Sequence, residues 1–226
     1  MVHVKSFPQR ISTLVAFSTL LTLSTFYSSV SANLMLNPGF EIPVNNNGEG
    51  FGNWVTFSLN DDPNVGTVVA RNSTIEVRTG LGSVELGIDG VENSYAGLYQ
   101  TLTDSLVGQL FTFTGWHIAT LDEAEVELRL EWFDISGLEI ARTGNLIPTV
   151  TDEFSKFTLS GLAPHGAESV RTVYTTVSFG NMLTQQIFVD DFSLDVVDVA
   201  APNMNALFGI TVIGFGSSKR YNARKH

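Results

Sequence analysis

The chain has 226 residues, is 43% hydrophobic and contains no cysteine. All 23 Asp and Glu lie between Glu41 and Asp198 together with only six of the 12 Lys and Arg, so that stretch carries a formal charge of −17 against −11 for the whole. A surface of this sign repels phosphate backbones and argues against a nucleic-acid partner, and the missing thiols exclude disulfides and Cys-ligated metals.

The first segment has Lys5 and Arg10, then no charge from Ile11 to Ala32, with an apolar stretch around Leu14 to Leu23. It closes on Val30-Ser31-Ala32, small residues of the kind a signal peptidase reads, so residues 1–32 are expected to be a signal peptide cleaved after Ala32. A retained membrane anchor is the other reading of the same residues.

From Asn33 to Asp198 short alternating segments are separated by Gly, Asn, Asp and Pro, and no helical period persists over a dozen residues. An insertion rich in Asn and Gly, Pro43 to Gly52, comes first. Strand-like runs follow at Gly66 to Arg71, Ser83 to Ile88, Leu98 to Thr103 and Gln109 to Thr120. Next, Val126, Leu128, Leu130 and Trp132 alternate with Glu125, Glu127, Arg129 and Glu131, a strand buried on one face only. Asp134-Ile135-Ser136-Gly137 turns this strand into Leu138 to Arg142. Lys156 to Leu162, Ser169 to Phe179 and Gln186 to Val197 complete eight or nine strands, which predict an all-β, two-sheet sandwich over residues 33–198.

The last 28 residues read differently. Val199 to Ser218 is uncharged over 20 residues, about 30 Å as a helix and so long enough to span a bilayer. Lys219, Arg220, Arg224 and Lys225 follow, a cluster that stays cytoplasmic. With Pro202 ahead of the apolar run, residues 199–226 resemble a PEP-CTERM sorting tail in an Ala-Pro variant, Ala200-Ala201-Pro202-Asn203. The resemblance implies an exosortase-type processing enzyme, transient anchoring in the membrane and a final place at the cell surface or in an exopolysaccharide matrix. A plain tail anchor is the alternative.

The opening Asn33-Leu34-Met35-Leu36-Asn37-Pro38-Gly39-Phe40-Glu41, followed by Trp54, resembles the first strand of carbohydrate-binding modules with a galactose-binding-like jelly roll. Gly97 to Leu102 leading into Leu110 to Trp116, and the closing Ile187 to Leu194, agree with it. The resemblance implies a jelly-roll fold, a polysaccharide partner and a structural Ca²⁺ where the first and last strands meet, held by Glu41 and Asp190 with the carbonyl of Gly39. Asp190 shares strand parity with Phe188, Phe192 and Leu194 and is expected to point inward, where a carboxylate needs a cation or several hydrogen bonds. Capping of backbone amides without metal satisfies the same need.

Sugar binding uses an aromatic face and polar groups for the hydroxyls. Trp116 lies on the polar face of its strand and is the expected stacking residue, with burial under a loop or a second sheet as the bland alternative. Gln100 and Tyr99 on the neighbouring hairpin strand are expected to supply hydrogen bonds, and Arg129 to face the same groove. Trp54 and Trp132 read as core. Glu123, Glu125, Glu127 and Glu131 share a face at about 6.6 Å spacing, near an inverting glycosidase separation. Catalytic carboxylates must flank the bond from opposite sides, however, so a solvated face is the better reading. His3, His117, His165 and His226 form no ligand spacing. The chain is expected to be a non-enzyme, with a structural or adhesive matrix protein as the alternative to sugar binding and a polysaccharide hydrolase or lyase behind both.

Overall fold

The computed structural model describes residues 32–43, 53–103, 107–121, 124–180 and 184–198. The chain divides into Met1–Val30 and Ser31–His226, and all described residues belong to the second unit. The expected signal peptide up to residue 31 and the expected sorting tail lie outside them. Among the described residues no helix is long and apolar enough to cross a membrane.

Among the described residues ten strands form two five-stranded sheets in which every pairing is antiparallel. In chain order they are β1 (Val55–Leu59), β2 (Thr67–Ser73), β3 (Ser83–Asp89), β4 (Tyr95–Thr103), β5 (Gln109–Ala119), β6 (Val126–Phe133), β7 (Glu139–Arg142), β8 (Ser155–Leu162), β9 (Ser169–Val177) and β10 (Gln185–Asp198). The first sheet runs β1-β4-β9-β6-β7 and the second β2-β3-β10-β5-β8. Consecutive strands alternate between sheets over much of the chain, an all-β arrangement consistent with a jelly roll. The expected runs fall on β2 to β10; the strand not foreseen is β1, although Val55, Phe57 and Leu59 alternate with Thr56 and Ser58. The opening segment, expected as the first strand, is not a strand: Asn33 to Leu36 are irregular.

Strand alternation builds the core. Val126, Leu128, Leu130 and Trp132 of β6 are buried between the sheets, as are Ala96 and Leu98 of β4 and Val170 and Tyr174 of β9. Each such aliphatic or aromatic side chain contributes about 1.5–3 kcal/mol by leaving water. On β10, Ile187 and Val189 face this core, then a bulge between Asp190 and Ser193 shifts the phase so that Phe192 and Leu194 also face it. Phe192 packs its ring against Phe40, Trp54, Phe113, Phe157 and Tyr174 at centroid distances of 5.2–5.8 Å. Gly115 stands opposite the bulge because a Cβ there would fall 2.3 Å from the Phe192 ring.

The irregular opening segment fastens the two sheets together. Asn33 accepts the Leu194 amide and donates to the Phe192 carbonyl, both on β10. Three residues on, Leu36 is bonded through both its N–H and its C=O to the side-chain amide of Gln100 on β4, each at 2.9 Å. Asn37 then closes a loop by bonding both backbone groups of Ile42, which plunges Phe40 into the core.

His117 and Tyr174 meet inside the sandwich, Nδ1 to hydroxyl at 2.8 Å, both essentially without solvent contact. Burial lowers the His117 pKa to about 4 and pushes the Tyr174 hydroxyl well up. A histidine whose folded pKa lies below the unfolded value of about 6.5 gives its full stability above pH 6.5, and that stability is lost as pH falls toward 4. We expect unfolding titrations between pH 7 and pH 4 to show about 3 kcal/mol more loss for the native chain than for His117→Gln. Identical pH slopes would show that this imidazole does not control acid sensitivity.

Candidate functional site

The outward face of the first sheet is a groove, and strand parity decides what lines it. From β1 comes Phe57, from β4 Tyr95 and Tyr99, from β9 Arg171, Val173, Thr175 and Val177, and from β6 Glu127, Arg129, Glu131 and Phe133. Glu139 and Arg142 of β7 close one side. Two hollows of about 260 Å³ each follow one another along the face and share Phe57 and Arg129.

Phe57 lies across β4, its ring 5.9 Å from Tyr95 and 6.0 Å from Tyr99. Gly97 makes room for it, since a Cβ there would fall 2.5 Å from the tip of the Phe57 ring. Thr175 Oγ1 lies beside Gly97, buried and without a hydrogen-bond partner. Without solvent contact, this hydroxyl is an unsatisfied polar group beneath the groove floor.

The polar half is an ion network around Glu131, whose side chain is 5% exposed. Arg129 Nε donates to it at 2.6 Å, Arg171 Nη1 stands at 3.5 Å and Arg142 Nη1 at 4.0 Å. Arg171 has two aromatic neighbours: its guanidinium carbon is 4.4 Å from the Tyr99 centroid and 4.5 Å from the Phe133 centroid, and its Nε donates to Thr101. The Arg142 guanidinium bonds Glu139 and holds that carboxyl below the usual carboxylate range. Glu127 accepts from Asn145 at 2.6 Å.

Of the residues expected from sequence, Tyr99 and Arg129 meet in this groove. Gln100 does not. It faces the core side of β4, is 2% exposed, and its amide is spent on Leu36. Trp116 is on the outward face of the other sheet, opposite Lys156 in register, with the Arg78 guanidinium 3.9 Å above its ring. The four residues therefore do not form one site, because adjacent positions on a strand face opposite ways and Trp116 and Tyr99 belong to different sheets. Phe57, Tyr95 and Arg171 were the residues missed; the alternation of Val55 to Leu59 was the signal for Phe57. The acidic face of β6, read as solvated, instead carries the buried and ion-paired Glu131.

The expected metal residues do converge. Gly39 lies beside Asp190 Oδ1, Asp191 Oδ1 and Glu41 Oε1. Asp190 is wholly buried, as expected, but not between the sheets: it is in register with Trp116, on the outer face, while its neighbour Val189 faces the core with His117. The segment Arg78–Leu81 covers it. Asp190 accepts the amides of Arg78, Thr79 and Asp191, and Asp191 accepts from the Arg78 guanidinium and the Thr79 hydroxyl. Glu41 accepts the Leu81 amide. Gly80, at φ +69°, passes so close that a Cβ would fall 1.9 Å from Glu41 Oε1. Burial pushes the Asp190 carboxyl up, opposed by those amides and aided by the charge of Asp191. Among the described residues no three His, Asp or Glu side chains stand close enough to grip one metal ion.

Carbohydrate-binding modules of family 22 are among the similar solved structures. The family 22 xylan-binding domain of Paenibacillus barcinonensis Xyn10C is 16% identical with a TM-score of 0.53, over 75% of this chain and 97% of that one. The tandem domain of the same protein matches at 17% identity and TM-score 0.52, over 78% of this chain and 48% of the tandem. The enzymatically active domain of bacteriophage CBA120 tailspike protein 4 is 18% identical with a TM-score of 0.55, over 73% of this chain; the match spans only 21% of the tailspike chain. No family model matches the sequence, and no curated protein does. At these identities the likeness is one of fold.

Replacing Gln100 by Leu strands two backbone groups of Leu36. We expect the change to lower the unfolding free energy by about 1–3 kcal/mol in denaturant titration; a native midpoint would show that the opening segment is not fastened through this amide.

Proposed function

We propose that this chain is an exported, non-catalytic carbohydrate-binding protein that seats a polysaccharide along the groove of the first sheet. The observation that carries the reading is the row Tyr95, Phe57 and Tyr99 beside fixed guanidinium and carboxylate groups. Aromatic faces stack on the apolar faces of sugar rings, and rigid polar groups address the hydroxyls. The fold-level likeness to a xylan-binding domain supports it. Catalysis has less support, because Glu127, Glu131 and Glu139 are each engaged by Asn145 or an arginine. Tyr99 and Arg129 belong to this reading, Tyr99 as part of the aromatic row and not as the hydrogen-bonding group expected from sequence; Trp116 and Gln100 are outside it.

Export through the leader, sorting through the tail by an exosortase-type enzyme and residence at the cell surface or in its exopolysaccharide matrix complete the proposal. A structural Ca²⁺ belongs to it as well. Glu41, Asp190 and the Gly39 carbonyl offer only oxygen donors, suited to a hard cation, although the three amides on Asp190 already meet the need of that buried carboxylate. The ion would neutralise charge between the opening loop and β10.

Pull-down of the full chain on insoluble and immobilised polysaccharides tests the site. Phe57→Ala and Tyr95→Ala should each weaken binding at least tenfold, the equivalent of about 1.4 kcal/mol, with no reducing sugar released by the native protein. Binding that survives both changes would move the site elsewhere. For the ion, EDTA should lower the melting temperature and added Ca²⁺ restore it; a chelator without effect removes Ca²⁺ from the account.

A further inference from the structure

The body of this protein is short of positive charge: between Glu41 and Asp198 there are six Lys and Arg against 23 Asp and Glu. The fold brings three of those six, Arg129, Arg142 and Arg171, onto one stretch of the groove. They surround Glu131 and Glu139, and with Glu127 farther along the groove three arginines face three carboxylates, a neutral track in a body that is otherwise strongly negative. Arg129 and Arg171 both line the second hollow, and the described bonds engage only part of each guanidinium.

The way Arg171 is held points to its task. Two rings lie within 4.5 Å of its guanidinium carbon, its Nε donates to Thr101 and Glu131 attracts one end. A guanidinium locked in this manner presents its remaining N–H groups in a set direction, the geometry that suits a carboxylate more than a lone hydroxyl. The first hollow has one arginine where the second has two: Phe57, Tyr95, Val177, Phe179 and Thr175 line it, and Glu127 beside Arg129 disfavours an anion there.

Resting on the carbohydrate-binding reading above, we infer that the groove selects an acidic polysaccharide in which a uronate adjoins an uncharged sugar. The uronate carboxylate binds at Arg129 and Arg171, and the uncharged ring stacks in the hollow of Phe57 and Tyr95. The two unlike hollows also give the polymer one direction along the groove.

The test uses the full native chain with hyaluronate, in which uronate and uncharged sugars alternate, with polygalacturonate, and with the carboxyl-reduced, neutral form of each. Hyaluronate is expected to bind at least tenfold more tightly than its reduced form and more tightly than polygalacturonate, with affinity falling as salt rises. Arg171→Gln should cost about tenfold on hyaluronate and less on the reduced polymer, with the melting temperature as a check on folding; the native chain's comparison of the two polymers stands whatever that variant does. Equal binding of acidic and reduced forms, still abolished by Phe57→Ala, overturns the acidic selectivity and leaves the carbohydrate-binding reading intact. Binding to none of the four polymers overturns the acidic selectivity, and failure on the insoluble and immobilised polysaccharides as well overturns the carbohydrate-binding reading.

Discussion

One irregularity in β10 organises the molecule. At Asp190 and Asp191 the strand takes an extra residue, Asp191 adopts φ +50°, and the alternation of faces is reset. Before the bulge Val189 points inward and Asp190 outward; after it Phe192 points inward. Without the reset Phe192 would face solvent, and the ring cluster joining Phe40, Trp54, Phe113, Phe157 and Tyr174 would lose its centre. The same reset puts two consecutive carboxylates on the outer face, where the Arg78–Leu81 segment must fold over them to supply donors. Core packing and the acidic junction with the opening loop are thus two results of one backbone event.

The groove depends on this arrangement indirectly. Its floor is the back of strands whose inward residues pack on the ring cluster, so Tyr174 on β9 and Leu98 on β4 fix the strands that present Arg171 and Tyr99. Its polar part is then stiffened by Glu131. Burying a carboxylate is costly unless its partners are good, and here Arg129, Arg171 and Arg142 share it. Such a pair network adds little to stability, but it keeps three long side chains from collapsing or waving in solvent. Ordering them before a ligand arrives lowers the entropy lost on binding.

How much of this was legible in the sequence follows from what alternation can and cannot say. The β6 pattern Val126, Leu128, Leu130, Trp132 identified a half-buried strand and its core face correctly, and the positions of nine strands could be read from apolar runs and turn residues. Alternation says that neighbours face opposite ways, so Tyr99 and Gln100 were never able to share a groove, and only the strand order reveals which of them faces out. It says nothing of sheet membership, which separates Trp116 from Tyr99. It fails outright at a bulge: the phase through Phe188, Asp190, Phe192 and Leu194 looks continuous, yet Phe188 and Asp190 are on one face and Phe192 and Leu194 on the other. The Asn37 to Glu41 motif, by contrast, was recognisable as a unit, because its members serve one loop: Asn37 closes it, Phe40 plugs the core and Glu41 reaches the Leu81 amide.

A protein with so acidic a body would seem a poor host for an acidic polymer, and the distances resolve the difficulty. At physiological ionic strength exposed charges are screened beyond about 8 Å, so most of the acidic residues, on loops and on the other sheet, act weakly on a ligand in the groove. Close to the groove the negative excess disappears, because Arg129, Arg142 and Arg171 match its three carboxylates, which are tied to arginines or to Asn145. The surrounding negative charge then discourages acidic chains from adhering elsewhere and leaves one permissive track across the first sheet. Net charge repels, local geometry admits, and selectivity arises from the contrast between them.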